Sequence, residues 1–215
     1  MVVGLGNPGA KYEWTRHNIG FEALNRFRMN LDAFSTQSVA SKTVASKTVQ
    51  SKFEGQFVKT KRSGNDICLV WPLTYMNCSG RCVAQFARFY RIEPENILVI
   101  CDDLSLPLGK LRIRKSGSSG GQKGLENILG CLGTQDVPRL RIGIDPTPEH
   151  WETVDYVLGK FTSEESVTVK SALDRTCSAI ERWLDAGIDI AMNEFNANST
   201  LKNQENKRKQ TPESE

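Results

Sequence analysis

Five consecutive apolar residues, Ile97-Leu98-Val99-Ile100-Cys101, run directly into two carboxylates, Asp102-Asp103. The alternation that marks a strand with one wet face is missing, so the run predicts a central strand covered on both faces. Ligands of open α/β sheets gather beyond the carboxyl ends of the strands, which makes a carboxylate placed there a site candidate. Asp102 fits that role. Asp103 suits a solvated turn better.

A second strand signal opens the chain. Val2-Val3 runs into Gly4-Leu5-Gly6-Asn7-Pro8-Gly9, a turn crowded with glycines, and Tyr12 and Thr15-Arg16-His17-Asn18 follow. His17 lies just beyond that loop, and an imidazole there exchanges protons near neutral pH. A formal scan reads Gly4-x-Gly6-x-x-Gly9 as a dinucleotide fingerprint, which needs a helix to begin at the third glycine. Pro8 stiffens the turn, and Ala10 to Arg16 shows no apolar helical period. A nicotinamide site is therefore disfavoured, and His17 stands as the candidate chemical centre.

Along the rest of the chain, Ile19, Phe21, Ala23, Leu24 and Phe27 predict an amphipathic helix ending near Met29. A five-residue repeat of Val-Ala-Ser-Lys-Thr type over 39–53 has too little apolar content to bury, so 35–52 reads as a flexible loop. Gln56–Thr60 and Ile67–Trp71 flank Ser63-Gly64-Asn65-Asp66 as the arms of a hairpin. Met76-Asn77-Cys78-Ser79-Gly80 opens a helix whose buried face is Val83, Phe86, Ala87, Phe89 and Tyr90, with Asn77 or Ser79 as its cap.

Leu111-Arg112-Ile113-Arg114 and Arg139-Leu140-Arg141-Ile142 both alternate apolar and basic residues. Arg112, Arg114, Arg139 and Arg141 then share one sheet edge, either as a track for polyphosphate or as a solvated strand face. Between them Gly117-Ser118-Ser119-Gly120-Gly121-Gln122-Lys123-Gly124 leads into a helix, offering backbone N–H groups and a positive helix end to an anion. His150 reads as a surface or packing residue. A capped helix is expected from Ser163 to about Asp185, and a short one reaching Phe195. Residues 197–215, rich in Asn, Lys, Glu and Gln, lack core-forming side chains and read as a disordered tail.

With 39% apolar and 25% charged residues, the 215-residue chain describes one soluble globular domain, and a net charge of +3 does not by itself imply nucleic acid. None of the six cysteines forms Cys-x-x-Cys, and only two histidines are present, which argues against zinc and for reduced cysteines in a cytosol-like compartment. No apolar run approaches the roughly 20 residues of a membrane span. The expected location is cytoplasmic, or a reducing organelle stroma if a targeting segment has been removed.

Taken in order, Gly4-Leu5-Gly6-Asn7-Pro8-Gly9, Thr15-Arg16-His17-Asn18, Tyr75-Met76-Asn77-x-Ser79-Gly80, Asp102-Asp103-Leu104-x-Leu106-Pro107-x-Gly109 and Arg139-Leu140-Arg141-Ile142-Gly143-Ile144 resemble the bacterial-type peptidyl-tRNA hydrolases. The resemblance implies a single-domain, three-layer α/β/α fold over residues 1–196 around a mixed, mostly parallel twisted sheet. It implies hydrolysis of the ester joining a peptide to the terminal ribose of tRNA, by a monomer with no metal or organic cofactor. His17 would be the general base and Asp102 its orienting carboxylate. Asn7 and Asn77 would grip the peptide amides and the ester region, Tyr12 and Tyr75 would line the pocket, and Met76 would pack beneath. Amides of the Gly120-Gly121 bend would stabilise the oxyanion, and Arg114 and Arg141 would meet the tRNA backbone.

One block departs from the family pattern. Where many members read Gly-Gly-His-Asn-Gly, this chain has Gly120-Gly121-Gln122-Lys123-Gly124, and Lys123 keeps a donor with changed geometry and added charge. Two other readings remain open at this point: a non-catalytic RNA-binding or splicing cofactor on the same fold, and a cysteine hydrolase pairing Cys101 or Cys78 with His17.

Overall fold

The computed structural model describes residues 1–37, 48–62 and 65–197, of which 32–37 by backbone alone. Its centre is a seven-stranded sheet. The strands are β1 (Val2–Gly4), β2 (Gln50–Lys52), β3 (Gly55–Arg62), β4 (Asn65–Pro72), β5 (Leu98–Asp103), β6 (Leu111–Arg114) and β7 (Arg139–Gly143), in the spatial order β2-β3-β4-β1-β5-β7-β6. The four central strands, β4-β1-β5-β7, run parallel, and both flanks are antiparallel.

Parallel strands need helices on their faces, and the side chains divide accordingly. Val2, Leu98, Ile100, Leu140 and Ile142 point into one core, with α1 (Ile19–Gln37) and a long C-terminal helix, α5 (Ser163–Ala186), above them. Val3, Val70, Val99 and Cys101 point into a second core, beneath α2 (Ser79–Tyr90) and α3 (Lys123–Leu132). The unbroken apolar run of β5 follows from this arrangement, because neither face of that strand meets water. A short helix, α4 (Thr153–Leu158), and a last one, α6 (Ile188–Asn196), complete the first layer.

Several boundaries differ from expectation. The first helix continues past Met29 to Gln37, because Leu31 extends the buried stripe of Ala23 and Phe27 by one more turn. Of the loop expected over 35–52, the first residues belong to α1 and the last form β2, while 38–47 lie outside the described residues. Strand β2 enters β3 through a two-residue turn, Phe53 and Glu54, both at positive φ (53° and 57°). That geometry matches the twist of paired strands. In the second hairpin Asn65 and Asp66 pair with Arg62 and Lys61 as strand residues, and Ser63-Gly64 lie outside the described residues, as does the expected tail from 198 onward.

The helix that follows the first loop sits unusually close to the sheet. A Cβ added at Gly20 would lie 2.4 Å from the Ile100 carbonyl oxygen and 2.6 Å from the Leu5 nitrogen, so only glycine admits the start of α1 against β1 and β5. This contact brings the residues just before α1, His17 among them, to the carboxyl end of β5. No helix among the described residues is long and apolar enough to cross a membrane.

Candidate active site

A cleft of about 660 Å³ opens at the carboxyl ends of β1, β4 and β5. Asn7, His17, Tyr75, Met76, Asn77, Asp102, Gly121, Lys123 and Arg141 all line it, and the walls include Val154, Val157 and Leu158 of the α4 segment. A larger hollow, about 870 Å³, lies at the amino ends of the strands around Met1, Tyr90 and Trp183 and contains no histidine.

His17 sits on a single 3₁₀ turn, Arg16–Asn18, and each of its neighbours is fastened separately. The Arg16 guanidinium meets both oxygens of Glu165 at 2.8 Å, donates to the Lys160 carbonyl and lies over the rings of Tyr156 and Phe161. Glu165 is held in turn by a capping box with Thr162 at the start of α5. On the other side, the Asn18 side chain exchanges two hydrogen bonds with the backbone of Asn7, at 2.9 and 3.0 Å. The imidazole between these anchors has little freedom to shift.

The ring nitrogen Nδ1 stands 2.9 Å from Oδ2 of Asp102. Since a carboxylate only accepts, Nδ1 carries the hydrogen and Nε2 keeps its lone pair. Burial pulls the His17 pKa down, but the charge of Asp102 and its hydrogen bond outweigh that and leave it above the ordinary 6.5. Asp102 is 3% exposed, and its second oxygen accepts from Nε2 of Gln122 at 3.0 Å. Both oxygens of a buried carboxylate are thereby satisfied, which avoids the desolvation cost of an unmade bond.

Asn7 bridges the first loop to the next wall. Its Oδ1 accepts the Met76 N–H at 2.8 Å, which turns its Nδ2 toward the cleft with no bond among the described residues. Met76 is buried beneath, with Sδ 3.2 Å from Gln122 Nε2. Tyr75 and Asn77 project outward on either side of it, and Asn77 makes no side-chain bond among the described residues.

Tyr12 is half-buried on the turn before His17, its ring 4.7 Å from the Lys11 ammonium, and stands outside the lining of the cleft. Other assignments are corrected. Asp103 is no solvated turn acid: it is buried, accepting from Ser105 and Arg141. Burial raises its pKa, but the Ser105 bonds and then Arg141 bring it below the ordinary value. The four arginines of β6 and β7 do share a face, since Arg112 opposes Arg141 and Arg114 opposes Arg139. They form no continuous track, however. Arg139 is 1% exposed and donates to the carbonyls of Gly117, Ser118, Gln135 and Val137. Arg141 binds Asp103 at 3.0 Å and the Ser118 carbonyl at 2.9 Å, leaving Arg114 exposed at the sheet edge. The arginines of β7 thus hold the glycine-rich bend by its carbonyls. Within that bend the Gly121 N–H donates to Ser119 Oγ at 3.3 Å, so Gly120 offers the amide without an acceptor among the described residues. Lys123 stands at the rim and pairs with Glu126 at 3.1 Å.

A cysteine nucleophile does not fit. Cys101 is fully buried, and desolvation followed by the Asp102 charge pushes its thiol far up, away from the reactive thiolate. Cys78 is not among the residues lining the cleft, and neither is exposed His150. No group of three or more His, Cys, Asp or Glu side chains among the described residues is arranged to hold a metal ion.

Arg16 and Asn18 stand in the sequence only as neighbours of His17 in its motif, and Gln122 only as a departure from the family pattern. For Gln122 that departure is the signal, since it occupies the position of a histidine in many members.

Comparison with known proteins places this geometry in context. A family model described as peptidyl-tRNA hydrolase matches residues 1–206. The chain is 43% identical over 196 residues to a peptidyl-tRNA hydrolase of Elusimicrobium minutum, covering 91% of this chain and 98% of that one. It is 44% identical over 199 residues to that of Rhodopirellula baltica, covering 93% and 98%. Among solved structures, the peptidyl-tRNA hydrolase of Acinetobacter baumannii superposes with a TM-score of 0.79 at 33% identity, covering 91% of this chain and 93% of the other.

Proposed function

The chain belongs to the peptidyl-tRNA hydrolase family, and on that premise we propose that it hydrolyses the ester between peptide and tRNA with a water that His17 deprotonates. The observation that carries this reading is the His17–Asp102 pair at the floor of a cleft that also holds the side-chain amides of Asn7 and Asn77, whose donors are unbonded among the described residues. The splicing-cofactor reading gains nothing from relatives that are named as hydrolases.

In the reaction, Nε2 of His17 takes a proton from a water poised against the ester carbon, while Asp102 holds the ring and stabilises the imidazolium. Such an ester has an alcohol leaving group, so an oriented water needs neither a covalent nucleophile nor a metal. The oxyanion is met by the Gly120 N–H and by Nδ2 of Asn7, donors fixed before the reaction begins. The proton on His17 then passes to the departing ribose oxygen.

Recognition follows from the walls. Asn77 pairs with a peptide bond of the substrate, and a free aminoacyl end would leave that amide unmatched beside a charged ammonium. Tyr75 offers a face to a base at the unpaired tRNA end. Lys123 lies at the rim, and exposed Arg114 contacts the phosphate backbone beyond it. The test is release of free tRNA from an N-blocked aminoacyl-tRNA by the purified protein. Turnover is expected, and binding without turnover would overturn the reading.

A further inference from the structure

The glycine-rich bend sends one long side chain into the floor of the cleft. Gln122 is buried, and its amide is used at both ends: Oε1 accepts the Leu125 N–H at 2.7 Å, and Nε2 donates to Oδ1 of Asp102 at 3.0 Å. An amide has one accepting and one donating end, so the cap dictates which way it faces. Turning it over would place its oxygen against the carboxylate and its N–H₂ against a backbone N–H, losing both bonds. The length is informative too. Asparagine or aspartate would cap a helix better, but neither reaches from the capping position to Asp102 as glutamine does.

We propose that Gln122 is a positioning residue for the His17–Asp102 pair, fixing the rotation of the carboxylate and drawing part of its charge toward the oxygen that His17 does not use. The N-terminus of α3 and the acid–base pair then form one rigid unit. The helix end that closes the substrate cleft sets the strength with which Asp102 holds the imidazolium. In this chain the work is done by an amide that stays neutral, so it orients Asp102 without adding a titration of its own. The kinetic consequence rests on His17 being the general base, whereas the coupling of Gln122 to the pair does not.

The other charged and titratable groups around the pair are accounted for. Asp103 and Arg141 bind each other, Lys123 pairs with Glu126 at the rim, Tyr75 projects outward, and Cys101 lies buried behind the strand. Gln122 is the neutral donor among them that touches Asp102.

The full chain has two histidines, so the His17 ring can be titrated by NMR against His150 as an internal reference. In the unaltered protein the side-chain amide signals of Gln122 are expected to move with pH along the same midpoint as His17. In Gln122→Met, which keeps length and loses the donor, the carboxylate charge is no longer shared. The His17 midpoint should then rise by about half a unit, roughly a threefold gain in proton affinity. The acid limb of kcat/KM should follow it, with KM nearly unchanged. Gln122 amide signals that ignore the His17 titration would overturn the proposal even if the variant fails to fold, as would an unmoved His17 midpoint in a folded variant. Absence of turnover in the unaltered protein would instead defeat the hydrolase mechanism and leave the NMR result to decide the coupling.

Discussion

The side-chain oxygen of Asn7 accepts the backbone N–H of Met76 across 69 residues of sequence, at 2.8 Å. One bond thereby joins the loop after β1 to the turn after β4 and sets which end of the Asn7 amide faces the cleft. Asn7→Asp keeps the accepting oxygen and exchanges the exposed donor for a second acceptor. The expected outcome is a folded protein whose melting temperature falls by several degrees, because a carboxylate replaces an amide at a buried site, and whose kcat falls about 100-fold, the usual cost of removing an oxyanion donor. Differential scanning calorimetry and single-turnover hydrolysis together check it. Loss of fold and activity in step would make Asn7 a purely structural bracket.

With His17 as the proposed general base, the His17–Asp102 pair is expected to make activity and stability depend on pH in opposite directions. The neutral imidazole is then the form that takes the proton, and its pKa is raised above 6.5, so kcat/KM should fall with acidification through a midpoint above 6.5. For stability the sign reverses. A group whose folded pKa is raised contributes most below its unfolded value, and that contribution is lost as pH rises through the folded pKa. Urea midpoints for the unaltered protein and His17→Ala should therefore differ more at pH 6 than at pH 9. A difference that grows with pH would contradict the ion pair.

Two arginines that look alike in sequence should behave differently. Arg139→Met removes the buried guanidinium that binds four carbonyls, and a loss of about 3 kcal/mol in unfolding free energy is expected, since buried acceptors are left unmet. Arg114→Gln should leave stability unchanged, weaken tRNA binding and lower the salt slope of log K by about 1. Denaturant titration and tRNA binding at several salt concentrations separate the two. Equal tRNA affinities for Arg114→Gln and the unaltered protein would move the backbone contact elsewhere.

How much of this was legible beforehand depends on what each residue touches. The five apolar residues before Asp102 required a strand covered on both faces, and β5 is that strand, because burial on two faces leaves a mark in sequence that needs no partner to interpret. The motif blocks that resemble the family name His17, Asp102, Asn7 and Asn77 as site residues, and the fold brings these four to one cleft. Arg139 was misjudged because alternation reports only which face a side chain leaves by. It does not tell that the glycine-rich bend folds back over that face. Gln122 escaped notice as a donor for the same reason: its partner lies 20 residues away on a strand, and only the fold brings them together. The first helix was drawn too short because Leu31 stands between Asn30 and Asp32, which mask a single buried turn.

The most direct measurement is the hydrolysis of an N-blocked aminoacyl-tRNA by His17→Ala beside the unaltered protein, with tRNA binding measured for both. The account predicts equal binding and a fall in kcat/KM of about 1,000-fold, the range expected when a general base is removed. A variant that releases free tRNA at the original rate would contradict it.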